Sequence, residues 1–290
     1  MYPLVLAILF TSWLLIAFRV FAIFRIQTLQ AIIINYMVCS VTGLLFFRNY
    51  EKISSIQFSE TWFSMALLTG FCFLPIFFLM AYSVQKTGVG ITTLASKTSL
   101  IIPVSVSLLY LNEQATFEWT HSLGLTLGIG AIVMTSADKI SFSSTSPNRE
   151  LLLPFLVFLG AGLIDVLINI SNYKFLPADK SSLFPLVAFS ASACTGLCIL
   201  LYRFIAFKEK IVFKNIAGGI LLGIPNYLSI YFLLEALQDF GNNGALVFPL
   251  LNIGIILLTA VVAFFFFQEK PGKYNSIGLA MAIAALLLLI

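Results

Sequence analysis

Charge is scarce in this sequence. Only 10% of its 290 residues are Asp, Glu, Lys or Arg, while 60% are hydrophobic and the mean hydropathy is +1.03. A soluble domain of this length cannot hide that much apolar surface, so the composition excludes one. Histidine occurs once, as His121. No Asp-rich metal motif, Ser/His/Asp set or glycine-rich phosphate loop stands beside it, which argues against an enzyme, an integral-membrane enzyme included. No basic run is long enough for a nucleic-acid surface. The cysteines Cys39, Cys72, Cys194 and Cys198 all fall within apolar stretches, and disulfides are not expected. Cys194 and Cys198 share a helical face but lack a histidine or carboxylate to complete a metal site, so they read as small packing residues. Neither a metal nor a cofactor is expected.

Long apolar runs stand where the charges are missing. A hydrocarbon core of about 30 Å needs about 20 apolar residues per helix, and ten such spans can be placed along the chain. Span 1 runs from about Leu4 to Phe24. It lacks a basic n-region and a clear cleavage site, so it reads as a retained span, with Arg19 snorkelling near its end. Span 2 covers Gln30 to Phe47, and span 3 covers Thr61 to Val84 with Gly70 and Pro75 inside. Span 4 lies within Gly88 to Glu113, and span 5 runs from Trp119 to Ser136 with a Gly124-x-x-x-Gly128 packing pattern. The Ser-, Thr- and Asn-rich interval 137–150 marks a linker. Spans 6 to 10 then cover Leu151 to about Ser171, Leu183 to Tyr202, Ile216 to Leu237, Ala245 to Phe267 and Tyr274 to Ile290. The fold class is all-α integral membrane.

The halves on either side of the linker echo each other in order. Thr42-Gly43-Leu44 matches Thr195-Gly196-Leu197, and Gly70 and Gln85 match Gly223 and Gln238 at the same separation of 153. Leu111-Asn112-Glu113-Gln114 matches Phe267-Gln268-Glu269-Lys270, and His121-Ser122-Leu123-Gly124-Leu125 matches Asn275-Ser276-Ile277-Gly278-Leu279. An odd number of spans per half sends the second half into the bilayer upside down. Residues 1–136 and 151–290 are therefore expected to be two inverted five-helix repeats, an architecture of secondary transporters that bind substrate between the halves near the midplane.

Span 4 carries the most unusual residue, Lys97. A lysine at the centre of a membrane helix costs roughly 2.5–3.5 kcal/mol, so it needs a partner or a wet site. On a continuous helix Thr93, Ser96 and Lys97 share one polar face, which Pro103 and Ser107 continue obliquely. Two readings stay open: a structural lysine paired inside the bundle, or a lysine lining a substrate site. Asp165 and Asn169, four apart on span 6, give a second polar stripe. Asp165 is read as either a proton-coupling carboxylate or a static partner of Lys97. Asn226, Tyr227 and Tyr231 on span 8, Asn252 and Thr259 on span 9, and Phe77, Phe78 and Tyr82 on span 3 are candidates for an aromatic, hydrogen-bonding pocket. Glu235 reads as interfacial, and Glu113 and Glu269 as holders of helix ends.

These features resemble the drug/metabolite transporter superfamily, in its ten-helix EamA-like branch. The resemblance rests on Glu113 in Leu-Asn-Glu and Glu269 in Phe-Gln-Glu, on the glycines Gly124 and Gly278 that open the next spans, and on Ala81-Tyr82. It implies a central site lined mainly by spans 1, 3, 4, 6, 8 and 9, and transport or efflux of small organic metabolites. Span 1 departs from the usual Trp-Gly, with Thr11-Ser12-Trp13 in its place. A lysine in the middle of span 4 is similar to the phosphorylated-metabolite carriers of the superfamily, but Asn252 and Ile253 stand where those have a basic pair, so a sugar-phosphate substrate is not carried over. The expected function is a secondary transporter, exporter or exchanger, of an anionic or zwitterionic metabolite, with a proton or counter-substrate as coupling partner. The rival classes are an integral-membrane enzyme and a non-transporting scaffold. The expected place is a bacterial-type plasma (inner) membrane, spanned many times. Loops after odd spans carry ten Lys or Arg and loops after even spans four, which puts the termini outside. The resemblance implies termini inside, and the reading here follows the resemblance.

Overall fold

The computed structural model describes residues 2–46, 56–106, 119–120, 123–124, 126–128, 130–131, 134, 147–177, 180, 183–240, 244–268 and 272–288. The helices are α1 (Tyr2–Ile23), α2 (Thr28–Phe46), α3 (Thr61–Thr87), α4 (Val89–Thr98), α5 (Ile101–Val106), α6 (Pro147–Ile170), α7 (Leu183–Phe207), α8 (Phe213–Asp239), α9 (Gly244–Phe267) and α10 (Lys273–Leu287). A π-helical turn, Ser171–Phe175, ends α6. The described positions between 119 and 134 are helical as well. Among the described residues seven helices, α1, α2, α3 and α6 to α9, are long and apolar enough to cross a bilayer. The chain is an all-α, multi-pass membrane protein. Most of span 5 with His121, the interval 137–146, and Glu113 and Glu269 lie outside the described residues. Helix α6 starts at Pro147, so the end of the expected linker is already helical.

Span 4 differs from its expected continuous helix. It is broken into α4 and α5 by a turn at Ser99 and Leu100. Pro103 explains the place, because its ring has no N–H for the carbonyl of Ser99 and clashes with it in an α-helix. The backbone tightens instead, with Ile102 N donating to Ser99 O at 2.9 Å. Hydroxyls serve the surrounding carbonyls: Ser99 Oγ donates to Ser96 O at 2.6 Å and Thr98 Oγ1 to Leu94 O at 2.7 Å. Pro103 therefore does not continue the face of Lys97, and Ser107 lies outside the described residues. Pro225 is handled differently. It leaves α8 unbroken, and the carbonyl it frees, Leu221 O, accepts the indole N–H of Trp13 from α1 at 3.0 Å.

Close packing in a bilayer depends on small residues, since burial between helices gains little over burial in lipid tails. A Cβ on Gly70 of α3 would meet Ala188 O of α7 at 2.3 Å, and one on Gly223 of α8 would meet Asn35 O of α2 at 2.8 Å. Gly219, one turn earlier, lies against Ile34 and Ala31, so the Gly219-x-x-x-Gly223 pattern is the face that receives α2. Ser192 Oγ donates to Gly70 O at 2.6 Å, and Cys39 Sγ donates to Gly223 O at 3.3 Å. These bonds correspond: 223 minus 70 and 192 minus 39 are both 153. The same shift relates the contact of Gly43 with Leu186 to that of Gly196 with Ile33.

The principal helix pairs join elements before residue 137 to elements after it. Helix α8 packs on α1 and α2, α7 on α2 and α3, α6 on α3, α4 and α5, and α9 on α1 and α4. At their centre Tyr36, Phe73, Phe77, Phe189 and Tyr227 form a chain of ring contacts between 5.5 and 6.5 Å. The connections are clamped at each end of the bundle. Glu60, before α3, binds Lys180 Nζ through both carboxylate oxygens at 2.6 and 2.7 Å, and also accepts the Trp62 indole N–H. Glu209, between α7 and α8, accepts from Arg203 Nε at 2.5 Å and from Gln27 and Gln30 of the α1–α2 corner. The hydrogen bonds from Lys180, then Trp62, hold the Glu60 carboxyl below the usual carboxylate range. Those from Gln27, then Arg203, do the same for Glu209.

Candidate functional site

The broken helix gathers part of the expected site. Lys97 lies half-buried in the last turn of α4, where the negative end of the helix dipole favours a cation. Thr93, one turn earlier on the same face, is buried, and its Oγ1 has no hydrogen-bond partner among the described residues. Asn252 of α9, also buried, reaches the backbone of the break through a long contact of 3.5 Å from Nδ2 to Lys97 O. From the other side comes α6, with a stripe at Gly162, Asp165 and Asn169. Gly162 sits against Ile102, and Asn169 Nδ2 approaches Pro103 O at 3.5 Å. Asp165, between them on that stripe, is half-buried and in electrostatic range of Lys97. Among the described residues the direct ion pairs are Lys180 with Glu60 and Arg203 with Glu209, so Lys97 and Asp165 attract each other without closing a salt bridge. Ser96 is buried, but its hydroxyl is turned back to Thr93 O at 3.1 Å.

The remaining expected residues sit elsewhere. Tyr227 is buried in the ring chain between α2, α7 and α8, against Gly43 and Phe189. Tyr231 is exposed and donates to Glu235 Oε1, one turn on, at 2.7 Å. Tyr82 is exposed at the end of α3, with Lys86 Nζ 5.8 Å over its ring. Phe77 belongs to the ring chain, Phe78 is exposed, Asn226 donates to Asn35 Oδ1 at 3.1 Å, and Thr259 donates to Ile255 O at 2.7 Å. Helical faces account for these departures. A polar or aromatic residue in an apolar span shows no face until its neighbours are known.

One residue was missed. Ser12 of α1 is buried, with no partner for its Oγ among the described residues. Helix α1 packs on both α4 and α9, and Ile8, one turn before Ser12, lies against Gly254 just past Asn252. The departure Thr11-Ser12-Trp13 was the available signal. Among the described residues the cluster offers one fixed cation, one carboxylate, amides and two unpartnered hydroxyls at an interrupted helix. Such a set can hold an anionic group at Lys97 and a donor at Asp165. It is not a metal-binding donor set, and among the described residues no three His, Cys, Asp or Glu converge.

Comparison with known proteins adds breadth without chemistry. No protein-family model matches the chain. Over 264 residues the chain is 28% identical to an uncharacterized protein of Haemophilus influenzae, covering 89% of this chain and 86% of that one. A solved structure titled "Crystal structure of protein" superposes with a TM-score of 0.60 at 15% identity, over 99% of this chain and 94% of the other. The fold described above is thus shared, nearly end to end, with a protein whose structure has been solved.

Proposed function

We propose that the chain is a secondary transporter of small organic metabolites, an exporter or exchanger, built as ten spans in two inverted five-helix repeats. Its substrate carries a carboxylate or another anionic group, alone or as part of a zwitterion, and binds at the α4–α5 break between the repeats. The observation that carries the reading is Lys97, held half-buried at the end of an interrupted helix without a direct counter-ion among the described residues. Broken helices are tolerated in bilayers where they are buried in protein or line a wet site, and they form the substrate sites of many transporters. The hydrogen bonds and glycine contacts that recur at a shift of 153 support the repeat. So does the helix pairing, in which α1 with α8 answers α6 with α3, and α1 with α9 answers α6 with α4.

Counterflow in proteoliposomes tests the reading. Metabolites are first screened by thermal stabilisation, since a ligand of the folded state raises apparent stability. A stabilising carboxylate should then exchange across the bilayer, and Pro103→Ala, which lets α4 and α5 fuse, should slow exchange while the protein stays folded. A folded protein that moves no stabilising solute would leave the scaffold reading. Chemical conversion of a solute or lipid without movement would leave the enzyme.

A further inference from the structure

At one end of the bundle the α1–α2 corner and the α7–α8 connection are fastened into one shelf. Gln27 N donates to Asn215 Oδ1 at 3.0 Å, Asn215 Nδ2 donates to Gln30 Oε1 at 2.7 Å, and Gln30 Nε2 donates to Glu209 Oε1 at 3.0 Å and Lys210 O at 3.3 Å. Glu209 is the carboxylate of this shelf, and both of its oxygens are occupied by Gln27, Gln30 and Arg203. Around it Arg25, Lys208, Lys210 and Lys214 are exposed, and among the described residues their side chains form no ion pair or hydrogen bond. Bulky apolar side chains stand exposed beside them: Phe24 at 67%, Phe207 at 68% and Phe213 at 81%.

Lys214 is placed against the field of its own helix, whereas Arg25 and Lys208 follow the C-termini of α1 and α7, where the dipole favours a cation. Arg25 and Lys208 both adopt a left-handed backbone, with φ 52°, where glycine is favoured. Lys214 lies in the first turn of α8, at the positive end of the helix dipole, which disfavours a cation and favours an anion. Cations flanked by aromatic rings at the ends of membrane helices match the boundary between acyl chains and headgroups. We propose that Arg25, Lys208, Lys210 and Lys214, on the shelf fastened by Glu209, bind the headgroups of anionic phospholipids, while Phe24, Phe207 and Phe213 enter the acyl chains. This holds whether or not the chain transports anything.

Titration of the purified full-length protein with phosphatidylglycerol and with phosphatidylcholine, read by native mass spectrometry, tests it. Phosphatidylglycerol should bind more tightly. A lysine near an anionic surface contributes about fivefold, so Lys208→Gln, Lys210→Gln and Lys214→Gln together should remove on the order of a hundredfold of that preference. The corresponding triple change to Arg should keep it, as should Lys174→Gln, which removes an exposed lysine from the other end of the bundle. The wild-type preference should also shrink with salt, because the screening length falls from about 10 Å at 0.1 M to about 3 Å at 1 M, a readout that needs no variant to fold. Equal affinity for the two lipids, a preference that survives the triple Gln change, its loss in Lys174→Gln, or its insensitivity to salt would each overturn the proposal. Displacement of the lipid by soluble glycerol phosphate would also overturn it, as a site for free phosphate.

Discussion

Lys97 and Asp165 are neighbours without being a closed pair, and that geometry separates their two readings by experiment. If the lysine waits for a substrate anion, Lys97→Met weakens substrate affinity tenfold or more, on the order of 1.4 kcal/mol, and the protein stays folded. If the two charges are a static structural pair, Lys97→Met strands the half-buried Asp165 carboxylate and costs up to about 3–5 kcal/mol of stability, and adding Asp165→Leu restores it. The expected result is a double variant that folds and transports nothing; transport at the normal rate and affinity would remove Lys97 from the site. Both charges were legible in the sequence, because any charge in so apolar a run stands out. Their surroundings were not. Thr93 and Ser96 share a face on paper, yet only Thr93 keeps a free hydroxyl, since Ser96 is turned to its own helix. The faces of Tyr82, Tyr227 and Tyr231 were not legible for a similar reason: one ring lies in the core and two are exposed.

At the scale of elements, glycines and clamps decide which helices meet. A Cβ on Gly70 would run into the α7 backbone, which cannot yield, so Gly70→Ala should cost about 1–3 kcal/mol through overpacking. On Gly160 of α6 a Cβ would meet, among the described residues, the side chain of Ile76 at 3.2 Å, which can shift where a backbone carbonyl cannot, so Gly160→Ala should cost less than Gly70→Ala. Thermal unfolding in detergent ranks the two, and equal melting temperatures would refute the packing account. The clamps add a pH signature. Glu60 and Glu209 titrate below their ordinary range in the folded chain, so their contribution is complete above the unfolded carboxylate value of about 4.3 and disappears as pH falls through the lower folded value. Melting temperature should therefore fall below about pH 4, and fall less in a Glu60→Gln, Glu209→Gln double variant; an unchanged acid slope in that variant would show that the clamps contribute nothing. The helices themselves were legible from run length. The interruption at Ser99 and Leu100 was marked only by Pro103, and proline is ambiguous in a membrane, where α8 passes through Pro225 unbroken because Trp13 takes the freed carbonyl.

At the scale of the molecule, the sequence echoes pointed to two halves but could not show how the halves engage. The same shift of 153 that pairs Gly70 with Gly223 in the sequence also pairs their hydrogen bonds, so the echo belongs to the contacts between halves. The main partners of α1, α2 and α3 are α6, α7, α8 and α9, and this interlocking has a consequence in time. During synthesis α1 to α5 leave the ribosome before any of these partners exist. At about 5–20 residues per second, completing the rest of the chain takes on the order of ten seconds or more. Through that interval Asn35 and Gly70 face lipid or an insertion chaperone rather than α8 and α7. A nascent chain arrested after residue 136 should therefore be degraded quickly by membrane proteases, and one arrested after residue 268 should persist. Equal lifetimes at the two lengths would mean that the first half can stand alone while it waits.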